Sequence, residues 1–476
     1  MTTNPKIDSD SGATRIFISF SIVLFVILSG VFIVASFPRF SFELVLGVVV
    51  FGIALIFQTI VTFRSNKSSL GEVSVFIFTL IFLWLAPIIQ LTELKFNLVN
   101  TSKFAEKIFL ETNSICAIFS VFFTLGIMKF HPTPQKHVVE IGIKSNYKHI
   151  NTARLAIIAT LLALSSILLS GLIAGGDGTI TPIGLFFKKF LFFIPCAAFL
   201  GILRANTLNQ EANYKNYIYL AILFIGLLIT QNPYIEKRNS LGPIYLAVIF
   251  IGTGHALRTR IRETGILLIA LLIFFPLAAL YTHFKSGPGF TFDTNILALI
   301  SDHFLSTHYD AWANIYSSVE LVNIRGVQYG KQITGSLLFF VPSQFWIDKP
   351  LATGILLGDF LKENHTMWFS NLSAPLIAEG FIDFHIFGVI LYAVILAKSI
   401  CSMSHIEKNT NSPFIQALMI YGALFLVFLL RGSLMIAFAY GFGGVLAFLA
   451  TNLIGMRRRS FKTHSGHSEA AYAKTS

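Results

Sequence analysis

Charge is what this chain has least of. Asp, Glu, Lys and Arg make up 12% of its 476 residues, where soluble globular domains carry about a quarter, and the mean hydropathy is +0.72. That excludes an ordinary soluble domain and predicts a polytopic membrane protein. Acidic residues are the scarcer sign, 23 against 35 basic ones. The basic residues are scattered between apolar runs and form no patch on a polar domain, which argues against nucleic acid as a partner and for loops that set membrane orientation. Cysteine is nearly absent: Cys116, Cys196 and Cys401 each sit in or beside an apolar run. Their spacing suits neither a metal site nor a disulfide, so they read as packing residues. There is no aspartate triad or His-x-x-x-His pattern, and His303 with His308 stand alone as a pair. No bound metal or cofactor is therefore expected. Internal repeats are also lacking, which counts against a transporter built from inverted repeats.

What is abundant is hydrocarbon. Runs long enough to cross a bilayer, about 20 residues each, lie near 16–36, 43–63, 73–91, 109–128, 154–173, 183–203, 217–231, 240–254, 265–283, 385–403, 412–430 and 433–455. They predict an all-α polytopic integral membrane protein of about 12 transmembrane helices, a single membrane domain over residues 1–476. The first run, preceded by Lys6 and Arg15, reads as an uncleaved signal anchor. With the N-terminus inside, 21 of the 35 lysines and arginines fall on the cytoplasmic side. The short loop with Arg258, Arg260 and Arg262 and the tail Arg457-Arg-Arg459 weigh most. Both termini are then cytoplasmic, and the one long polar interruption, residues 284–384, lies outside, in the periplasm of a Gram-negative cell. Residues 464–476 read as a disordered cytoplasmic tail. Within the long loop, Ile333 to Trp346 is apolar but crossed by Pro342 and followed by Pro350, so it is expected to be re-entrant or interfacial.

Charges at membrane depth cost roughly 2.5–3.5 kcal/mol each, so those that persist tend to face a cavity or a partner. Lys237 and Arg238 occupy a tight outer connection and read either as a solvated hairpin neutralised by Glu236 or as an anion clamp. Arg431, with Gly432 and Ser433, interrupts an apolar stretch running from Ser412 to Gly455, and either snorkels to headgroups or points into a protein cavity. Lys188 and Lys189 are read first as snorkelling, with contact to a lipid phosphate as the alternative. Arg325, Lys331 and Lys349 complete the outer basic set. Among acids and bases, Asp302 to Asp310 packs two carboxylates and two imidazoles into a short span, and Glu379 enters a helix in an apolar setting that would raise its pKa by desolvation. Glu379, His308 and Asp310 are the candidate proton acceptors.

Two phrases give these residues a context. Phe340-Val-Pro-Ser-Gln-Phe-Trp-Ile-Asp-Lys-Pro-Leu-Ala-Thr-Gly354 resembles the Pro-x-x-x-Trp-x-x-Lys-Pro-x-x-x-Gly signature of bacterial O-antigen polymerases, the Wzy-type oligosaccharide repeat-unit polymerases. Ser373-Ala-Pro-Leu-Ile-Ala-Glu-Gly-Phe-Ile-Asp-Phe-His-Ile-Phe-Gly388 resembles their Glu-containing helix entry, and Arg238, Tyr309-Asp310 and Leu430-Arg-Gly432 sit where similar text occurs. The resemblance covers the C-terminal half. It departs at His308, where the family often carries Arg-Phe-Asp, leaving His308 a base candidate and not a phosphate ligand. It implies a GT-C-like architecture in the bacterial inner membrane, among membrane lipids. It also implies a metal-independent glycosyltransferase that moves a growing glycan from an undecaprenyl pyrophosphate donor to an undecaprenyl-pyrophosphate-linked acceptor, with a chain-length regulator as a possible protein partner. Arg238 and Arg431, helped by Arg325, Lys349 and Lys237, would bind pyrophosphate, and Glu379 or the His308 and Asp310 pair would take the acceptor proton. O-antigen ligase is the nearest rival. A lipid-linked oligosaccharide flippase is the rival from another class, and it would need charges along the midplane of many helices.

Overall fold

The computed structural model describes residues 7–65, 67–96, 99–100, 105–131, 150–173, 186, 188, 190–208, 214–233, 236, 238–254, 256–276 and 302–456. Part of the long loop (284–301), Lys189, Lys237, the Arg457-Arg-Arg459 cluster and the 464–476 tail lie outside them.

The apolar runs become helices: α1 Ile7–Ser36, α2 Phe42–Phe63, α3 Leu70–Thr92, α4 Glu106–Phe130, α5 Thr152–Ile173, α6 Ile194–Leu208, α7 Tyr214–Thr230, α8 Arg238–Gly252 and α9 Arg260–Ile269. The loop region contributes α10 Ala311–Arg325, α11 Lys331–Leu337 and α12 Thr353–His365, and the chain closes with α13 Leu376–Asn409, α14 Pro413–Arg431 and α15 Leu434–Gly455. The only strands described, β1 Lys95–Phe96 and β2 Val99–Asn100, form a minimal antiparallel hairpin after α3. Seven helices, α1 to α4 and α13 to α15, are long and apolar enough to cross a membrane, and four shorter apolar helices accompany them. Local sequence sets the starts. Ser41 accepts from the Leu44 amide at 3.2 Å to cap α2, and Ser412 with Pro413 at the first position does the same for α14.

Packing separates an inner from an outer set of helices. α3 is buried almost throughout, which suits a helix apolar on all sides. A π-helical turn at Thr79–Leu85 aims Trp84 at Ser29 of α1, 2.7 Å from its hydroxyl. α14 packs on α3, α6, α8, α13 and α15, and α4 packs on α2 and α13. Small residues permit the close approaches: a Cβ at Gly201 would overlap the Phe414 ring, and one at Gly126 would press on Ala397. By contrast the apolar part of α1, Gly12–Ser36, is the most hydrophobic of the seven candidate spans, yet only 17% of it is buried in the protein. Phe17, Phe20, Leu28 and Phe32 of α1, like Leu161 and Leu168 of α5, stand exposed. Such a surface is stable only in lipid.

Helix ends sort onto two faces. On one, the polar residues 302–383 gather: Gln90 at the end of α3 donates to the Phe304 and Tyr309 carbonyls at 2.9 and 3.0 Å, and Tyr316 of α10 reaches the Ala105 carbonyl before α4. On the other, the ends of α2 and α13 meet the starts of α3 and α9 in a buried ionic network. Arg260 pairs with Glu72 at 2.9 Å and also donates to the Lys67 and Thr62 carbonyls. Arg258 pairs with Glu407 at 2.6 Å and lies 3.7 Å from Glu263, which holds the Ser68 hydroxyl. The same face joins α6 to α14 through Arg204 and Gln416 at 2.9 Å, and Ile150 to Met456 through a β-bridge. A buried pair is costly to break from one side, because the remaining charge is stranded. Glu72→Leu is therefore expected to lower stability by about 3–5 kcal/mol, read as thermal unfolding of the purified protein in detergent. A loss well under about 1 kcal/mol would mean that Arg260 finds other partners.

Candidate functional site

The turn between α14 and α15, residues 431–434, binds three separate pieces of the polar region. Arg431 ends α14, where a cation suits the helix dipole. Its Nη2 donates to the Thr307 carbonyl at 2.6 Å and to Asp310 Oδ1 at 3.2 Å. Two residues on, the Ser433 hydroxyl accepts from the Gly354 amide at 2.9 Å. The Leu434 amide, in the first turn of α15, donates to Glu379 Oε1 at 2.7 Å. The sequence Arg-Gly-Ser-Leu thus gathers segments that lie 121, 79 and 55 residues away.

Asp310 is buried at the start of α10, but its carboxylate is directed away from its own helix. Oδ1 takes the Ser373 hydroxyl at 2.6 Å as well as Arg431, and Asn314, one turn on, holds Ser373 through its hydroxyl and carbonyl at 3.0 and 2.9 Å. The preceding residues, Asp302 to Asp310, do not form a single helix. One helical turn at 302–304 gives way to a 3₁₀ turn at Thr307–Tyr309. The rings of His303, His308, Phe275 and Tyr309 consequently cluster, with the two imidazoles 5.3 Å apart. Tyr309 is buried and donates to the Leu271 carbonyl at 3.1 Å, and burial pushes its phenol above the usual tyrosine range.

Glu379 and Asp383 lie four residues apart on one face of the opening turns of α13, both fully buried. Each carboxylate caps another helix. Glu379 holds the start of α15, and Asp383 accepts from the Gln332 and Ile333 amides of α11 at 2.9 and 2.8 Å, with the Tyr392 hydroxyl at 3.3 Å. The Thr353 hydroxyl lies beside the Glu379 carboxylate and 3.0 Å from Gln332 Oε1. Just beyond, α13 breaks at Phe384 and His385, the latter at φ 57° and ψ −147°, a costly backbone for a residue with a Cβ. The break brings Gly388 against the Gly380 backbone. Glycine is equally needed at Gly354, the last residue of the Trp-x-x-Lys-Pro-x-x-x-Gly phrase, where a Cβ would overlap the Leu372 carbonyl.

Arg431, Asp310 and Glu379 therefore converge through one turn, and His308 stands beside them on the segment held by Arg431. Arg325 lies at the opposite end of α10, about 22 Å from Asp310 at 1.5 Å per residue. There it pairs with Glu363 and covers the Phe360 ring. Lys349 donates to the Phe339 and Val341 carbonyls at 2.8 and 2.7 Å, and burial holds its pKa below the usual lysine value. Arg238 opens α8, but its side chain, like the whole of Lys237, lies outside the described residues. Glu236 beside them forms an ion pair with Lys188 at 2.6 Å, so Lys188 has a protein partner as well as a route to headgroups. Among the described residues no three His, Cys, Asp or Glu side chains converge as a metal site. Ser373, Asn314, Ser433 and Gln332 were not foreseen as site residues, and Asp383 stood out only as one of the acidic residues of the polar stretch. Only Asp383 carried a signal, its four-residue spacing from Glu379 on a helix.

One polar atom in this cluster is unexplained by the protein alone. Arg431 Nε is buried and has no acceptor among the described residues, although Nη2 of the same guanidinium makes two bonds. A buried donor without a partner is rare enough to require a reason. No protein-family model, curated protein or solved structure matches the chain.

Removing the Asp310 carboxylate strands Arg431 and releases Ser373. Asp310→Ala is expected to cost about 3–5 kcal/mol and to speed amide hydrogen exchange across 302–316. Exchange at the opposite ionic face should be unchanged. Uniform acceleration over both faces would show that the pair is not a local fastening.

Proposed function

We propose that the chain is an O-antigen-type repeat-unit polymerase, a GT-C-like glycosyltransferase that works on the outer face of the bacterial inner membrane. The observation that carries this reading is Arg431: a half-buried guanidinium whose buried Nε is uncommitted among the described residues, set beside a carboxylate at the end of a membrane helix. A lipid-borne pyrophosphate would present its anion at that depth, with its isoprenoid tail among the apolar helices and its glycan in the polar region above. The Trp346, Lys349, Gly354 and Glu379 phrases support the same family.

In the proposed reaction the acceptor sugar hydroxyl attacks the anomeric carbon of the donor glycan. The new C–O bond forms as the bond from that carbon to the pyrophosphate oxygen breaks. Undecaprenyl pyrophosphate leaves with the electron pair, and a carboxylate receives the hydroxyl proton. Arg431 Nε meets the leaving oxygen, where charge grows most in the transition state, and Arg238 assists from the start of α8. Asp310 is the better-placed base: Ser373 and Arg431 both bind Oδ1, which orients the carboxylate towards the same anion site. Glu379 is buried and tied to α15, so it serves first to hold the turn in place. Arg325 and Lys349 are engaged with Glu363 and with two backbone carbonyls and support the polar region.

Arg431→Lys keeps the charge and loses the Nε donor. It is expected to reduce polymer formation by about 10²-fold, the usual scale for one lost donor to a developing anion. The readout is the polysaccharide ladder on a gel from cells that carry the variant at normal level. A ladder of normal length from Arg431→Lys and Arg238→Ala cells would remove both arginines from the mechanism. Deleting the gene distinguishes the reaction itself. A polymerase leaves one repeat unit on the lipid core, a ligase leaves none, and a flippase strands the repeat unit on the inner side.

A further inference from the structure

The polar region carries one element that is not polar. Leu337 to Leu351, running from the last residue of α11 to the approach of α12, exposes Leu337, Phe340, Phe345, Ile347 and Leu351 at 53%, 55%, 83%, 92% and 58%. Isolated exposed apolar residues need no explanation, but five large ones, each more than half exposed, within a single short hairpin do. The hairpin has an ordered backbone. Its turns close through Val341 to Leu338 at 3.0 Å, Phe345 to Pro342 at 3.0 Å and Lys349 to Trp346 at 3.1 Å. Its only cation, Lys349, is turned inward to the Phe339 and Val341 carbonyls, so the outward surface offers hydrocarbon and no positive charge.

The location of this surface identifies its occupant. α11 packs on α15, a membrane-crossing helix by length and composition. Phe339, at the root of the hairpin, is buried with Met435 and Ala439 of α15 and meets the Phe442 ring at 6.4 Å. Gly335 sits against Pro350 and Met435, which fixes the other root to the same helix. Phe442, Val445, Leu449 and Leu453 continue down α15 as exposed apolar side chains. The hairpin's apolar surface thus adjoins the lipid-facing surface of α15.

We propose that residues 337–351 form an interfacial wedge that inserts into the bilayer leaflet on the loop face and moors the polar region to the membrane beside Arg431. Insertion is shallow, because Ser343, Gln344 and Asp348 are exposed within the same hairpin and belong at headgroup level, as does Trp346. It is driven by apolar area and not by attraction to anionic lipid. This inference does not depend on the glycosyltransferase reading, since any chemistry at the 431–434 turn would be held at the same height.

All three native cysteines are buried, so a thiol at an exposed hairpin position can be labelled selectively in the full-length protein. Ile347→Cys carrying an environment-sensitive fluorophore, in phosphatidylcholine nanodiscs holding one copy each, is expected to emit to the blue of the free dye. Nitroxide-bearing lipids should quench it several-fold more strongly than aqueous iodide does. Replacing part of the phosphatidylcholine with phosphatidylglycerol should leave the ratio unchanged. Dominant iodide quenching at 347, and at 345 in Phe345→Cys, would overturn the proposal. Lipid shielding that appears only in discs loaded with two copies would also overturn it and assign the surface to a second copy of this chain.

Discussion

Everything on the loop face depends on the Arg431 guanidinium lying close to the hydrocarbon boundary. A cation there is expensive unless it is paired, and the protein pairs it by drawing Asp310 and the Thr307 carbonyl down to it. That requirement brings α10 and its preceding 3₁₀ turn over the end of α14. Through Ser373 it also brings the strand of chain that leads into α13. Ser433 and the Leu434 amide then hold Gly354 and Glu379 within the same few residues. The polar region is therefore not an independent domain resting on the bundle. It is the solvation shell of one turn between two membrane helices, supplied by protein instead of water.

Glu379 and Asp383 show how a buried carboxylate can fasten one helix to another. Both cap helix N-termini, which accounts for their ionisable groups being buried at the start of α13. Capping uses one oxygen of Glu379 and both of Asp383. The Nε of Arg431 is a buried polar atom left without an acceptor among the described residues. Such atoms cost free energy, and a site that binds a polar ligand is a physical reason to tolerate them. The opposite face provides the contrast. There Arg258, Arg260, Glu72, Glu263 and Glu407 bind one another across four helix ends, an arrangement that fastens helices together.

Much of this was legible in the chain. Hydropathy located α2 and α15 closely because burying twenty apolar residues in lipid outweighs local preference: α2 was expected over 43–63 and runs Phe42–Phe63, and α15 was expected over 433–455 and runs Leu434–Gly455, whereas seven of the twelve expected spans are shown as helices long enough to cross. Arg431 and Glu379 stood out because a charge in an apolar context is a strong signal in any single sequence. Ser373, Asn314 and Ser433 gave no such signal. They are common residues whose importance comes from being 2.6–3.0 Å from something far away in sequence. Arg325 and Lys349 looked alike as outer cations, and only their distances to Glu363 and to two carbonyl oxygens distinguished them from Arg431.

The sequence by itself determined that this is a helical membrane protein with one long polar interruption, because the cost of exposing apolar side chains to water depends on composition and run length alone. It also determined which charges needed an explanation. Tertiary structure decided their partners: Asp310 for Arg431, the α15 amide for Glu379, the α11 amides for Asp383. It likewise decided that the Pro-bounded apolar segment projects Phe345 and Ile347 outward beside α15. Hydrogen bonds and ion pairs act over about 3 Å, and no periodicity in a chain reports which distant residues will come within that range.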